Sequence, residues 1–403
     1  MRSEIRGKSI LIFGAGLNQL ELISEARKLG LVTVVVDPQP DPPGKPEADF
    51  FYRVEGSDYD ATRSVALRHS VSGIVTGQME KPLRLMARLA EELGFIFNSP
   101  DVTERSTDKW LMKESFMAAG VSCAEGILIR SDEEPAARLK AAPAFPVIIK
   151  PRDAFSSRGV FRCCSPEEVL SYVDISRRFA TAGDILIEEF IHGREYSVEA
   201  ITFRGETTII QFTEKFTTPY PTTVETGHLQ PAGLTAVERE CIAEVVVRAL
   251  RALGIENSAS HTEVMLTANG PKVIEVGARL GGDFIASYLT RSSTGVSMDR
   301  AAIQVALGMA PDLRSDRRDY SMISFIELPA GKRVVRVHDT GDIAAMPGVV
   351  FARLFVRPGD ITEPVTHSAH RAGCVIVAGS SWMEVTERAW EYSKLLAKKA
   401  ELI

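Results

Sequence analysis

The 403-residue chain is long enough for two to four domains and an ample core. Its 45% apolar and 25% charged residues fit a globular protein, and a net charge of −6 without any basic block argues against a nucleic-acid partner. No apolar run reaches the roughly 18 residues of a membrane-spanning helix, no small-residue cleavage site follows the N-terminus, and the five cysteines lack CxxC or zinc spacing, so a reduced, cytoplasmic protein without a membrane partner is expected.

Residues 8–16, KSILIFGAG, read as a buried strand running into a glycine turn. A helix from about Leu17 to Leu29 follows, with Leu20, Ile23, Ala26 and Leu29 as its apolar residues and Gly30 as its stop. LVTVVVD makes a second strand ending at Asp37, so the chain opens on a βαβ unit with a right-handed crossover. Gly14-Ala15-Gly16 lacks the third glycine of GxGxxG, because position 19 is Gln, which speaks against a dinucleotide site. PQPDPPGKPEAD is a surface loop, and αβ units continue through SGIVTGQ and KPLRLMARLAEELG to about residue 105.

In STDKWLMKESFMAAGV, Ser106 or Thr107 stands as N-cap and Gly120 as C′ of one helix. Lys109 then lies in the first turn, where a cation opposes the helix dipole unless an anion is near. FPVIIKPRD ends an apolar strand on Lys150, which either snorkels or serves a site. The next loop, DAFSSRGV, offers Ser156, Ser157 and Gly159 with free backbone N–H groups, plus Arg158, as an anion-binding turn. ILIEEFIHGREYSVEAITF reads as a hairpin turning at His192-Gly193-Arg194, with Glu188, Glu189 and Glu195 crowding its ends. Those groups are either exposed strand-end charge or, with nearby backbone, ligands for an amino group or ribose hydroxyls. In the loop TTPYPTTVETGHLQPAG, Glu225 and His228 stand three apart, and a loop histidine is either solvated or a proton handler. A helix from about Thr235 to Leu253 follows, ended by Gly254.

Residues 261–283, HTEVMLTANGPKVIEVGARLGGD, carry the most chemistry. They read as two strands joined at Ala268-Asn269-Gly270. A three-residue loop sets Thr267 opposite Pro271 and hence Glu263 opposite Glu275; a two-residue loop slips the register and separates the two carboxylates. The first register is taken, because the second leaves each Glu isolated in an apolar strand. Opposed carboxylates repel unless a cation joins them, and Mg²⁺ accepts one or two carboxylates while keeping positions for water and phosphate. Arg279 and the bare Gly281-Gly282 follow, which suits an anionic group. Beyond them DFIASYLT and SMDRAAIQVALG read as helices, the second capped by Ser297. SMISFIEL, KRVVRVH, VVFARLFV and GCVIVAG read as strands, and a helix from about Trp382 to Lys399 closes the chain.

The order of these segments, from DK in a helix through VIIKP, a small-residue loop, ILIEEFIHGREYSVE, HTEVML and KVIEVGARLGGD, resembles the ATP-grasp superfamily over essentially the whole chain. HTE, E-x-x-x-R-x-G-G and the E-x-x-H of Glu225 and His228 resemble the ADP-forming carboxylate–amine ligases, notably the L-amino-acid ligases. The C-terminal part is similar to that of biotin-carboxylase-type members. The resemblance implies an α/β and α+β fold: a Rossmann-like parallel-sheet domain over 1–105, an ATP-grasp domain of two α+β subdomains over 106–320 with its lid at about 115–195, and a β-rich region with a closing helix over 321–403. It implies that Lys109 and Lys150 bind ATP phosphates under the loop of Ser156, Ser157 and Gly159. Glu188, with the backbone of Glu189 and Ile191, holds adenine, and Glu195 holds ribose. Glu263 and Glu275 bind Mg²⁺, Arg279 steadies an acyl phosphate, and Glu225 and His228 line the amino-acid site, with Gly281 and Gly282 beside the substrate. Two features depart from the family: the covering loop is poor in glycine, and Gly277 replaces a usual Asn, which removes one metal ligand. The implied reaction joins a small carboxylate, of the amino-acid class, to an amine at the expense of ATP, in a chain that forms a homodimer. A carboxylase or formate-using member, and an ATP-binding module without catalysis, stay as alternatives.

Overall fold

The computed structural model describes residues 5–154, 158–219 and 224–403. It opens on β1 (Ser9–Phe13), β2 (Val32–Asp37), β3 (Phe50–Arg53) and β4 (Ile74–Thr76), a parallel sheet in the order β3-β2-β1-β4. SILIF is apolar almost throughout because both faces of β1 are covered. Ile10 and Ile12 join a core with Leu22, Ile23, Met298 and Ile303, whereas Leu11 and Phe13 pack with Val65, Leu83 and Leu89. The first of these cores ties helix Leu20–Lys28 to helix Met298–Ala306, so the N-terminal unit docks on much later chain.

A small antiparallel sheet follows, of β5 (Gly126–Ile129), β6 (Val147–Pro151), β7 (Phe161–Cys163) and β8 (Ile185–Glu189), in the order β5-β8-β6-β7. The remaining strands are β9 (Arg194–Phe203), β10 (Glu206–Thr217), β11 (Glu225–Gln230), β12 (Ser258–Thr267), β13 (Gly270–Gly277), β14 (Tyr320–Ile326), β15 (Val334–Val337), β16 (Val349–Leu354), β17 (Gly373–Gly379) and β18 (Ala400–Leu402). Among the described residues they form one large sheet, ordered β13-β12-β9-β10-β11-β14-β17-β16, and a ribbon of β15 with β18. The C-terminal strands thus extend the sheet that begins at β9.

Four local expectations are corrected. The helix carrying Lys109 is Lys109–Ala118 and its N-cap is Asp108, whose carboxylate accepts from the N–H groups of Trp110 and Leu111. Ser106 and Thr107 belong to the end of a separate helix, Pro100–Thr107, and donate their hydroxyls to Val102 O and Thr103 O one turn back. The stretch ILIEEFIHGREYSVEAITF is no hairpin: β8 pairs with β5 and β6, and β9 with β10 and β12, so both edges of each strand are taken. Its turn residues cross from one sheet to the other. Glu225 and His228 lie on strand β11 rather than in a loop, because β10 and β14 hold that segment on both sides.

The fourth correction concerns the turn before Glu275. Thr267 pairs with Gly270, so the loop has two residues, Ala268 and Asn269, and Gly270 takes the left-handed φ of 104°. That register alone separates Glu263 from Glu275. The ladder shifts by one at Glu263/Val264, where Ile274 bulges, and Glu263 ends up paired with Glu275 after all. The expected juxtaposition stands, through a different device.

Candidate active site

The two sheets, with loops from both ends of the chain, enclose a cavity of about 750 Å³. On the small-sheet side, Lys150 of β6 reaches Glu188 of β8 at 2.6 Å, and Lys113 of helix Lys109–Ala118 reaches the other carboxylate oxygen at 3.0 Å. Burial pushes the Glu188 carboxyl up, but the two lysines outweigh it and hold it below the ordinary glutamate range. Between the sheets, Phe190 and Ile191 line the cavity, while the Glu189 side chain accepts from Lys272 at 2.5 Å and from the Glu125 N–H at 2.9 Å.

The large-sheet side carries the carboxylate pair. Glu275 Oε1 lies 2.9 Å from Lys109 Nζ, and Glu263 Oε1 lies 2.8 Å from Lys215 Nζ on β10. Lys215 also meets Glu195 at 2.5 Å and Glu225 at 3.7 Å. Burial works against the Lys215 charge, yet these carboxylates lift its ammonium well above the usual lysine range. Burial likewise pushes Glu263 up, and Lys215, His261 and Arg279 overcome it and hold the carboxyl at about 2. Lys109 follows the same pattern: burial disfavours its charge, and Glu275 and Glu80 raise it above its ordinary value. The anion expected near its helix start is Glu275.

Arg279 Nη2 stands 3.8 Å from Glu80 Oε2, and Arg279 Nε is buried without a hydrogen-bond partner among the described residues. Burial raises the Glu80 carboxyl above its ordinary range, and Arg279 only partly offsets this. At the far end, Asp283 takes a bidentate pair from Arg371, at 2.7 and 2.5 Å, and meets His228 Nε2 at 3.0 Å. Burial alone raises the Asp283 carboxyl; Arg371 and His228 hold it far below the usual range. Glu225 and His228 share the cavity face although they stand three apart, because the β10–β11 ladder shifts at Phe216/Thr217 and Thr226 bulges. Behind the carboxylates, His261 Nδ1 is 2.5 Å from the fully buried Glu199.

Of the residues expected at a site, Ser156 and Ser157 lie outside the described residues. Gly159 does not line the cavity; it packs against Phe179 and Pro151. Gly281 backs the site, pressed against Glu199. Lys109, Lys150, Glu188, Glu189, Ile191 and Glu195 line the cavity, as do Glu225, His228, Glu263, Glu275, Arg279 and Gly282. Sequence reasoning missed Lys113, Lys215, Glu80, Glu199, Asp283 and Arg371. A lone lysine in QFTEKFT gives no local sign; the charge of Asp283, set between Gly-Gly and the apolar FIASYL, is the one readable signal.

Two carboxylates opposed on adjacent strands, beside a cavity flanked by Lys109 and Lys150, offer the hard oxygen donors that Mg²⁺ takes and the cations that phosphates take. The residues fit that ion. Two family patterns match the chain, the ATP-grasp domain over residues 143–287 and the L-amino acid ligase C-terminal domain 2 over 324–398. The chain carries an ATP-grasp domain. The ATP-grasp match contains Lys150, Glu188, Glu263, Glu275, Arg279 and Asp283, and the C-terminal match contains Arg371. The dapdiamide A synthase of Enterobacter agglomerans is 26% identical over 327 residues, 76% of this chain and 75% of that protein. The alanine–anticapsin ligase of Bacillus subtilis is 28% identical over 232 residues, 52% of this chain and 48% of that one. In fold, the chain is similar to an L-amino acid ligase from Bacillus licheniformis, with a TM-score of 0.83, 22% identity and 99% of both chains covered.

Proposed function

We propose that this ATP-grasp chain is an ADP-forming carboxylate–amine ligase that activates a small carboxylate of the amino-acid class as its acyl phosphate. The observation that carries the reading is the convergence on one cavity of Glu263 and Glu275, the cations Lys109, Lys150 and Arg279, and a separate polar end formed by Glu225, His228, Asp283 and Arg371. The names of the dapdiamide synthase and of the alanine–anticapsin ligase support the amino-acid class.

A carboxylate is a poor electrophile, and moving a phosphoryl group onto it creates a good leaving group for attack by a neutral amine. That transfer asks for positioning and charge neutralisation more than for covalent work by the protein. Lys109 and Lys150 hold the phosphates, with Glu188 placing Lys150, and the backbone at Glu189 and Ile191 faces the base. Glu195 lies at the ribose. Arg279, whose Nε has no partner among the described residues, steadies the charge that develops on the transferred group, a contribution on the order of several kcal/mol. Glu263 and Glu275 would hold Mg²⁺, which would supply Lewis-acid charge neutralisation. Glu225 and His228 orient the amino-acid substrate. A cytoplasmic location and a homodimer belong to the same proposal; the five cysteines are free, and no helix of the described residues is long and apolar enough to cross a membrane.

The test is ADP release from Mg²⁺-ATP with amino acids supplied singly and in pairs, with bicarbonate and formate as further acids and Glu275→Ala as control. Release that needs both an acid and an amine, and that disappears in a folded Glu275→Ala chain, is the expected result. Release with bicarbonate alone turns the assignment to a carboxylase. ATP binding with no release under any condition leaves only a binding module.

A further inference from the structure

Each carboxylate assigned to the metal already carries a lysine. Lys109 sits on Glu275 at 2.9 Å and Lys215 on Glu263 at 2.8 Å. Lys109 has a second duty, since it faces the phosphates. Lys215 has no role in the reaction described so far. Its side chain is only 5% exposed, it projects from β10 in the middle of the large sheet, and its Nζ reaches Glu195 at 2.5 Å and Glu225 at 3.7 Å as well. Those three carboxylates belong to the ribose, metal and acid ends of the cavity. One ammonium, with three N–H donors, therefore stands within 3.7 Å of all three.

Resting on the metal assignment above, we propose that Lys215 is a built-in counter-cation for Glu263, one that keeps a divalent ion off the carboxylate pair until nucleotide arrives. Two monocations on two carboxylates carry the same total charge as one dication on the same pair. The exchange is electrically neutral, whereas removing the lysine with nothing in its place leaves the partly buried Glu263 carboxylate without its nearest cation, which is unfavourable. A free metal ion finds both carboxylates occupied. Nucleotide changes this, because its phosphates compete for Lys109 and release Glu275. Lys215 can then leave Glu263 without any main-chain movement, since Glu195 and Glu225 are already within 3.7 Å of its Nζ. Metal and nucleotide bind together, and the contact passed to Glu225 links metal occupancy to the acid end of the cavity. Lys215 acts through these carboxylates and is a positioning residue.

The experiment uses the full chain and Mn²⁺ as the probe, with free Mn²⁺ followed by electron paramagnetic resonance, with and without ADP. Without ADP the wild-type chain binds Mn²⁺ weakly, and both Lys215→Met and Lys215→Gln bind it at least about tenfold more tightly, because the competing cation is gone. Adding ADP tightens Mn²⁺ binding in the wild type and changes it much less in the two variants. Lys215→Arg, which keeps the charge, stays with the wild type. A Met variant that folds only when Mn²⁺ is present supports the proposal equally, and Lys215→Gln, with its hydrogen-bond donor retained, serves where the Met variant does not fold. Equal Mn²⁺ affinity in wild type and Lys215→Gln overturns the counter-cation. Glu263→Gln separates the two levels of the argument. If it leaves Mn²⁺ binding in the presence of ADP unchanged, the metal assignment itself fails. If it abolishes that binding while the Lys215 variants show no gain, the metal assignment stands and only the counter-cation is lost.

Discussion

At Gly281 a methyl group would overlap the Glu199 carboxylate, which is fully buried and holds His261 through Nδ1. His261 lies two residues before Glu263, so a push on Glu199 is passed to the carboxylate pair. Gly281→Ala is therefore expected to destabilise the chain by about 1–3 kcal/mol, the ordinary cost of overpacking a filled space. Turnover is expected to fall about tenfold or more as the site loses its geometry. Urea unfolding and ADP release measure the two effects, and wild-type values in both would remove Glu199 from any supporting role. Glu263, Glu275 and Arg279 were legible at this scale because they share one short stretch with a turn signal and an apolar frame. Glu80, Lys215 and Arg371 were not, since a single charged residue in a strand or loop looks the same whether it faces solvent or a site.

Helix Lys109–Ala118 illustrates what one cap decides. Asp108 accepts two backbone N–H groups of the first turn and also holds Arg152 at 2.7 Å. The next residue is Lys109, whose ammonium reaches across to Glu275. Asp108→Ala is expected to cost about 1–2 kcal/mol through the lost cap and to weaken Mg²⁺-ADP binding by displacing Lys109. Thr107→Ala, aimed at the cap read from sequence, is expected to leave nucleotide binding unchanged. Thermal melts and fluorescence titration with Mg²⁺-ADP compare them; a larger effect from Thr107 would return the cap to that residue. Element types and most of their spans could be read from apolar periodicity and caps. Bulges could not. Ile274 and Thr226 each shift a ladder by one residue and so decide which side chains face the cavity, and the choice depends on the partner strand.

On the scale of the whole molecule, the N-terminal unit is joined to the rest through helix Leu20–Lys28 and helix Met298–Ala306, and a buried charge cluster lies in that joint. Glu25 is fully buried and holds Lys28, Arg291 and Arg300 at 2.9, 3.1 and 2.8 Å. Asp299 is buried in the same place, where burial first, then Glu21 and Glu25, push its carboxyl up to about 7. An acid raised in the folded state binds its proton more tightly there than in the unfolded chain, where its value is roughly 3.9. Its contribution is fully present below that unfolded value, declines as pH rises, and is lost above about 7. The melting temperature is thus expected to fall between about pH 4 and pH 7, and Asp299→Asn to remove most of that slope by raising the value at the alkaline end. Parallel pH profiles of the two proteins check it; identical slopes would mean that Asp299 stays ionised in the fold.

The sequence by itself determined the βαβ start, the succession of strands and helices, the stretch from His261 to Asp283, and through that stretch the ATP-grasp resemblance and its Mg²⁺-ATP chemistry. The elements are properties of neighbours along the chain, set by periodicity, caps and turn residues, and the chemistry is what the resemblance implies. Tertiary structure alone decided which charges meet. Lys109 and Glu275 are 166 residues apart, Arg371 and Asp283 are 88, and Lys215 reaches Glu263 across 48. It also separated β8 from β9 into two sheets and gave the hairpin its bulge. Each of these rests on strand pairing and burial between distant segments, and a buried ion pair leaves no mark on the residues that flank either partner.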